Sequence, residues 1–172
     1  MVRFRLREGL EDIPAWAARY PADYDQVIAE MVPVVQKAGH LTLEQLKAVC
    51  RWKSPMSAHH CLKNSPEYVA EVTRIMLTTE TSERLRFELP GLLWGVGPPT
   101  TSVLLHWFHE ERYPILDFRA LWSLSAEVPD WYSFEFWWEY VQACRALADE
   151  HGVDMRTLDR ALWQFSKERQ RR

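Results

Sequence analysis

Apolar residues along this chain recur at intervals of three and four, set apart by proline, glycine and capping residues, the pattern of short packed helices. A first short helix is expected over 11–20, with Asp12 near its start and Pro14 at an early position. Asp23 or Asp25 caps the next, which carries Val27, Ile28, Met31, Val34 and Val35; Pro33 interrupts it and Gly39 ends it. Thr42 and Gln45 read as a capping box that opens a helix to about Arg51. A further helix is expected over 57–64. Ser65-Pro66-Glu67 starts another, with Tyr68, Val69, Val72, Ile75 and Met76 on one side. Residues 79–82 are turn-like, and 83–89 form a short helix stopped by Pro90-Gly91.

In the second half, 100–109 is expected to be helical, with Val103, Leu104, Trp107 and Phe108 buried and Pro98 and Pro99 at its first turn. Asp117 stands before a helical stretch over 118–124. Pro129-Asp130 opens a long helix bearing Phe134, Trp137, Trp138, Val141, Cys144 and Leu147, closed by Gly152. Asp154 caps a last helix through Leu158, Leu162 and Phe165, and the basic tail from Lys167 is expected to fray. Only Arg3-Phe4-Arg5-Leu6-Arg7 alternates as a strand or extended arm would. Phe4 and Leu6 would lay that arm across the body, and its arginines make a secondary phosphate-binding candidate. The fold class is all-α, roughly nine to eleven short helices in one compact unit over 1–172. Within it, 1–40 and 126–172 form one lobe and 41–125 the other.

Composition narrows the function. Apolar residues are 47% and aromatics 13%, with nine Trp, as in an ordered globular protein of 172 residues. The net charge of −3 gives no global basic field, which disfavours strong non-specific duplex binding and leaves room only for a local patch. Cys50, Cys61 and Cys144 are odd in number and widely spaced, against a disulfide framework, a four-Cys zinc site or an iron–sulfur cluster. No apolar run approaches membrane-spanning length, and the first residues lack an apolar signal core. The expectation is a cytoplasmic monomer with reduced thiols and no membrane partner. His59-His60-Cys61 and the His106, His109 pair show no firm third ligand, so no metal site is expected.

The chemistry concentrates in 93–124. Gly95 and Gly97 lie two residues apart and an apolar helix pattern follows; twenty residues after Gly97 comes Asp117, inside an apolar run. Glycines serve where a backbone turns tightly or approaches something closely, and the first N–H groups of the next helix can face an anion. Asp117 can cap its helix, act as a catalytic carboxylate, or both. Arg119 either pairs with that carboxylate or contacts substrate. Tyr113 is either a packed loop aromatic or a base contact. Trp52, between Arg51 and Lys53, is the aromatic best suited to stack on a base, with Lys53 beside it.

Leu93-Trp94-Gly95-Val96-Gly97-Pro98-Pro99-Thr100-Thr101, followed by Tyr113-Pro114-Ile115-Leu116-Asp117-Phe118-Arg119, resembles the helix-hairpin-helix DNA glycosylase superfamily. The Pro-Ile-Leu-Asp run is most similar to its monofunctional, adenine-glycosylase-like branch. The resemblance implies that backbone amides of Gly95, Val96, Gly97 and Thr100 hold a DNA phosphate, with a monovalent cation on hairpin carbonyls. It implies that Asp117 stabilises the sugar cation or activates water as a flipped base leaves. Bifunctional members carry a nucleophilic lysine where this chain has Pro99, so the implied activity is excision without a lyase step. Pro98 and Pro99 remove two amide donors, Trp94 stands where the family has proline, and the interval from Leu41 to the hairpin is short for a glycosylase barrel. These departures keep a second reading open: a non-catalytic helix-hairpin-helix module that binds DNA or another protein.

Overall fold

The computed structural model describes residues 4–170; Arg3, Arg171 and Arg172, part of the expected arm and tail, lie outside the described residues. Every regular element among the described residues is helical. In chain order they are α1 (Ile13–Ala17), α2 (Gln26–Ala29), α3 (Val32–Ala38), α4 (Leu43–Lys53), α5 (Pro66–Leu77), α6 (Glu83–Glu88), α7 (Pro98–Phe108), α8 (Phe118–Ser123), α9 (Phe134–His151) and α10 (Met155–Arg169). Turns of 3₁₀ helix cover Ala22–Asp25, Ala58–Lys63 and Leu89–Leu92. None of the described helices is long and apolar enough to cross a membrane.

Side-chain caps set most of the helix starts. Asp12 accepts from Ala15 N–H, Ser65 from Tyr68 N–H, Ser82 from Leu85 N–H and Asp154 from Thr157 N–H. Thr42 and Gln45 form the full reciprocal capping box at α4. Pro33 breaks the expected second helix in two and sits in the first turn of α3.

Five expectations differ. Asp25 occupies the N-cap position of α2 but makes no capping bond with its side chain. The 57–64 segment is a 3₁₀ turn, not an α-helix. The long helix α9 starts at Phe134, capped by Ser133, while Pro129-Asp130 remains in irregular chain with Val128 and Trp131 exposed. In α7, Leu105 is fully buried and Trp107 only half-buried. The tail does not fray at Lys167, since α10 continues to Arg169.

The chain divides into two compact units, Met1–Pro21 with Arg112–Arg172, and Ala22–Glu111. The dividing points therefore fall away from 40/41 and 125/126. In the internal unit α2 packs on α4 and α3 on α7, with Ile28 and Val35 fully buried. In the terminal unit α10 packs on α1 and α8, and Ser123 Oγ donates to Leu162 O at 2.6 Å. Asp117 consequently belongs with the terminal helices and not with the hairpin segment.

The terminal core is built from Trp137, Tyr140, Val141 and Cys144 of α9 with Leu158, Leu162 and Phe165 of α10. The N-terminal arm is extended but pairs as no strand: Arg5 N–H donates to Leu124 O and Arg7 N–H to Ser123 O. Phe4 pins it, edge-on to Phe136 and Tyr140 with centroids 5.6 Å away. Arg7 lies 4.1 Å from the Trp122 ring centroid and donates to Trp122 O, so its guanidinium serves the arm's attachment.

Candidate nucleic-acid interface and candidate catalytic carboxylate

In the internal unit the turn at Leu93–Gly97 joins the 3₁₀ turn Leu89–Leu92 to α7, and Val96 N–H donates to Leu93 O across it. Gly95 has φ +80°, and a Cβ built there would meet Cys61 N at 2.8 Å and the His60 carbonyl carbon at 3.3 Å. The turn thus lies backbone to backbone on the His60–Cys61 peptide, which only glycine permits. Buried Asn64 grips the backbone of Trp94 at both ends: Trp94 N–H donates to its Oδ1 at 2.9 Å, and its Nδ2 donates to Trp94 O at 3.0 Å.

Cys50 lies beneath the turn, its thiol 3.8 Å from Gly95 O. Burial, with Cys61 close by, pushes the Cys50 thiol up to about 12. Burial raises the Cys61 thiol as well. A thiol held protonated and buried is a poor nucleophile, so native protein at pH 8 should label with iodoacetamide far more slowly than denatured protein. Labelling of Cys50 and Cys61 at equal rates in both states would mean that the turn does not stay closed over them.

Gly97 is a different case. Its φ of −112° and ψ of 179° are extended backbone open to any residue, and a Cβ there would meet only Pro99 Cδ at 3.9 Å. Gly97 is the N-cap of α7, and Thr101 N–H makes the first bond of the helix to Gly97 O. Prolines at 98 and 99 have no N–H, so the amides left for an anion at this helix start are those of Gly97 and Thr100. The side chains of Val96 and Thr100 are buried and reach no surface ligand. The carbonyls of Leu93, Trp94 and Gly95 take Val96 N–H, Asn64 Nδ2 and the Cys50 thiol. The protein's own donors already occupy them.

The aromatic expected to stack on a base is tied elsewhere. Trp52 is half-buried and its Nε1–H donates to Tyr24 O at 2.6 Å; Lys53 beside it is also half-buried. Trp94 is 60% exposed and carries the Lys63 ammonium 4.9 Å from its ring centroid. It projects from the turn rather than filling it. The sequence holds a signal for this surface: no acidic residue occurs between Glu44 and Glu67, or between Glu88 and Glu110. The first run carries Lys47, Arg51, Lys53 and Lys63. The Gly95–Cys61 contact and the Asn64–Trp94 clamp bring the two acid-free runs together.

In the terminal unit, the approach to Asp117 is held from both sides. Ile115 N–H donates to both carboxylate oxygens of buried Asp159, at 3.1 and 3.3 Å, and Ile115 O accepts the Tyr140 hydroxyl at 2.7 Å. Burial, with Cys144, Asp159 and Asp117 near, raises the Tyr140 phenol well above its ordinary range, so it remains a donor. Tyr113 is 1% exposed and stacks on Trp137, ring centroids 5.7 Å apart. With the Arg145 guanidinium also 5.1 Å from its centroid, Tyr113 is the packed loop aromatic and offers no ring face to a base.

Asp117 is half-buried and is the N-cap of α8, its Oδ1 accepting Arg119 N–H at 2.8 Å. The Arg119 guanidinium lies over the Phe118 ring at 5.1 Å and the Trp163 ring at 5.6 Å, so its contact with Asp117 runs through the backbone. Burial raises the Tyr132 phenol, and the Asp117 charge adds to the shift, placing Tyr132 in that carboxylate's field. Exposed Phe118 adjoins Asp117 in the chain, and exposed Trp131 adjoins Tyr132. Among the described residues no group of three or more His, Cys, Asp or Glu side chains is placed to hold a metal ion. No family model matches the chain, and no curated protein or solved structure matches it.

Proposed function

We propose that this protein binds DNA through the turn at Leu93–Gly97 and excises a modified or mispaired base as a monofunctional glycosylase. Asp117 is the catalytic carboxylate: it stabilises the positive sugar formed as the base departs, or activates the water that attacks it. The observation that carries this reading is a half-buried carboxylate two residues after Ile115, whose N–H and carbonyl are held by Asp159 and Tyr140. A preorganised charge stabilises a developing cation without reorganising as the reaction proceeds. Pro99, where bifunctional relatives of the motif carry lysine, offers no amine for a Schiff base. The target base leaves the stack before its bond to sugar breaks.

The test is base release from a panel of duplex and single-stranded oligonucleotides bearing oxidised, alkylated, deaminated and mispaired bases. The expected product is an intact abasic strand that breaks only on alkali treatment, with no enzyme–DNA adduct after borohydride. Binding without release across the panel would favour the second reading, a non-catalytic DNA-binding module. Asp117 serving as a helix cap, and the two amides lost at Pro98 and Pro99, are the observations on that side.

A further inference from the structure

Trp94 stands on a fixed backbone. Asn64 accepts its N–H and donates to its carbonyl, and the same amide donates to Cys61 O at 2.8 Å, so both hydrogens of Asn64 Nδ2 are used. The indole mounted on that backbone stays 60% exposed. Exposed Leu92 precedes it by two residues, and exposed Leu62 adjoins Lys63. Lys63 approaches the ring at 4.9 Å and makes no ion pair among the described residues. The two runs that meet here, 45–66 and 89–109, contain no Asp or Glu, and the first carries Lys47, Arg51, Lys53 and Lys63. A large apolar ring held in water gains free energy by being covered, and an acid-free basic surround favours an anionic cover.

From this arrangement we infer that Trp94 stacks on an unpaired base, with Lys63 against the adjoining phosphate, so that the turn takes single-stranded or gapped DNA in preference to continuous duplex. The inference rests on the DNA-binding reading above and narrows its substrate. In a duplex each base covers its neighbours, and only base edges and phosphates reach a protein. A ring face finds a partner only where a base is out of the stack. Stacking accepts any base, because every base has a π-face, and it demands no edge-reading donors around the ring. The indole needs a flat partner and the cation an anion; an unpaired strand supplies both within one nucleotide. The fixed backbone beneath Trp94 lowers the ordering cost of the contact.

The experiment is fluorescence anisotropy on a labelled 20-nucleotide strand in three forms: single, as a duplex, and single with abasic sites along its length. Trp94→Ala should weaken single-strand binding by about 5- to 100-fold, the factor one base stack supplies, and change duplex binding by less than about twofold. Trp94→Phe keeps a ring face and should recover most of the loss. The wild-type chain should bind the abasic strand about as weakly as Trp94→Ala binds the intact one. Lys63→Gln should lower the single-strand slope of log K against log salt by about 0.7, whereas Trp94→Ala should leave that slope unchanged. Trp94 meets Asn64 through its backbone, which alanine retains, so the Ala variant should melt near wild type. If it folds poorly, the abasic strand tests the stack on the wild-type chain alone. An equal loss on duplex and single strand, or full binding of the abasic strand, overturns the stack and leaves DNA binding standing. So does a dimer in sedimentation that Trp94→Ala abolishes with DNA affinity unchanged, which would give the ring to a second copy. A wild-type chain that binds neither form at low salt overturns the DNA-binding reading and the stack together.

Discussion

Asp117→Asn should lower base release by about 10²- to 10³-fold or more while leaving melting temperature and DNA affinity near wild type. Asparagine is as good an N-cap as aspartate, and its side-chain oxygen can keep the bond to Arg119 N–H. What it lacks is the charge that would stabilise a sugar cation and the basicity that would activate water. The Asn variant therefore separates the two roles of one residue. Asp117→Ala removes both, and the lost cap alone should cost about 1 kcal/mol of stability. Single-turnover release with Asp117→Asn at the wild-type rate would show that the carboxylate is a cap and nothing more. Loss of release together with loss of folding in the Asn variant, judged by near-ultraviolet circular dichroism, would count equally against a catalytic role.

The helical fold was legible because its signals are local. The Thr42–Gln45 box, the Ser65-Pro66 start and the Asp154 cap each act within one turn of chain, and each stands where the pattern placed it. The start of α9 was not legible, because Pro129-Asp130 is a plausible opening and only packing favours Ser133. Unit membership was less legible still. Asp117 belongs with the terminal helices because Asp159 and Tyr140 grip the chain two residues before it, and those partners lie far along the sequence. The same limit hid the hairpin clamp, since Asn64 reads as an ordinary helix end until its amide is found on Trp94.

The aromatic candidates show what flanking charge can and cannot predict. Trp52 has a cation on each side in sequence, yet its indole N–H is bound to Tyr24 O. Trp94 has none beside it in sequence and acquires Lys63 only through the fold. The overall charge of −3 says nothing about a local surface. At physiological salt, exposed charges are screened beyond about 8 Å, so a phosphate senses the few cations nearest it and not the sum over the chain. The two runs without Asp or Glu that meet at the turn are the feature with the right length scale.

Gly95→Ala should be the most damaging small substitution at the hairpin, with a stability loss of about 3 kcal/mol or more. A left-handed backbone costs a non-glycine residue about 1–2 kcal/mol. The remainder comes from the contact a methyl would make with Cys61 N at 2.8 Å, which no rotamer can relieve because the neighbour is backbone. For a chain of this size such a loss lowers the melting temperature by about 6–12 °C. Gly95→Asn divides the two causes: asparagine tolerates the left-handed region but carries the same Cβ, so it should recover only part of the loss. Gly97→Ala is the matched control, because its backbone is extended and its Cβ would make only an ordinary contact with Pro99 Cδ at 3.9 Å. It should melt as wild type does, and any loss of DNA affinity it shows must then come from the approach of the ligand. A melting temperature for Gly95→Ala within a degree of wild type would mean that the turn does not lie on the Cys61 peptide. The phosphate-binding geometry proposed for Gly97 and Thr100, which that contact holds in place, would then lose its support.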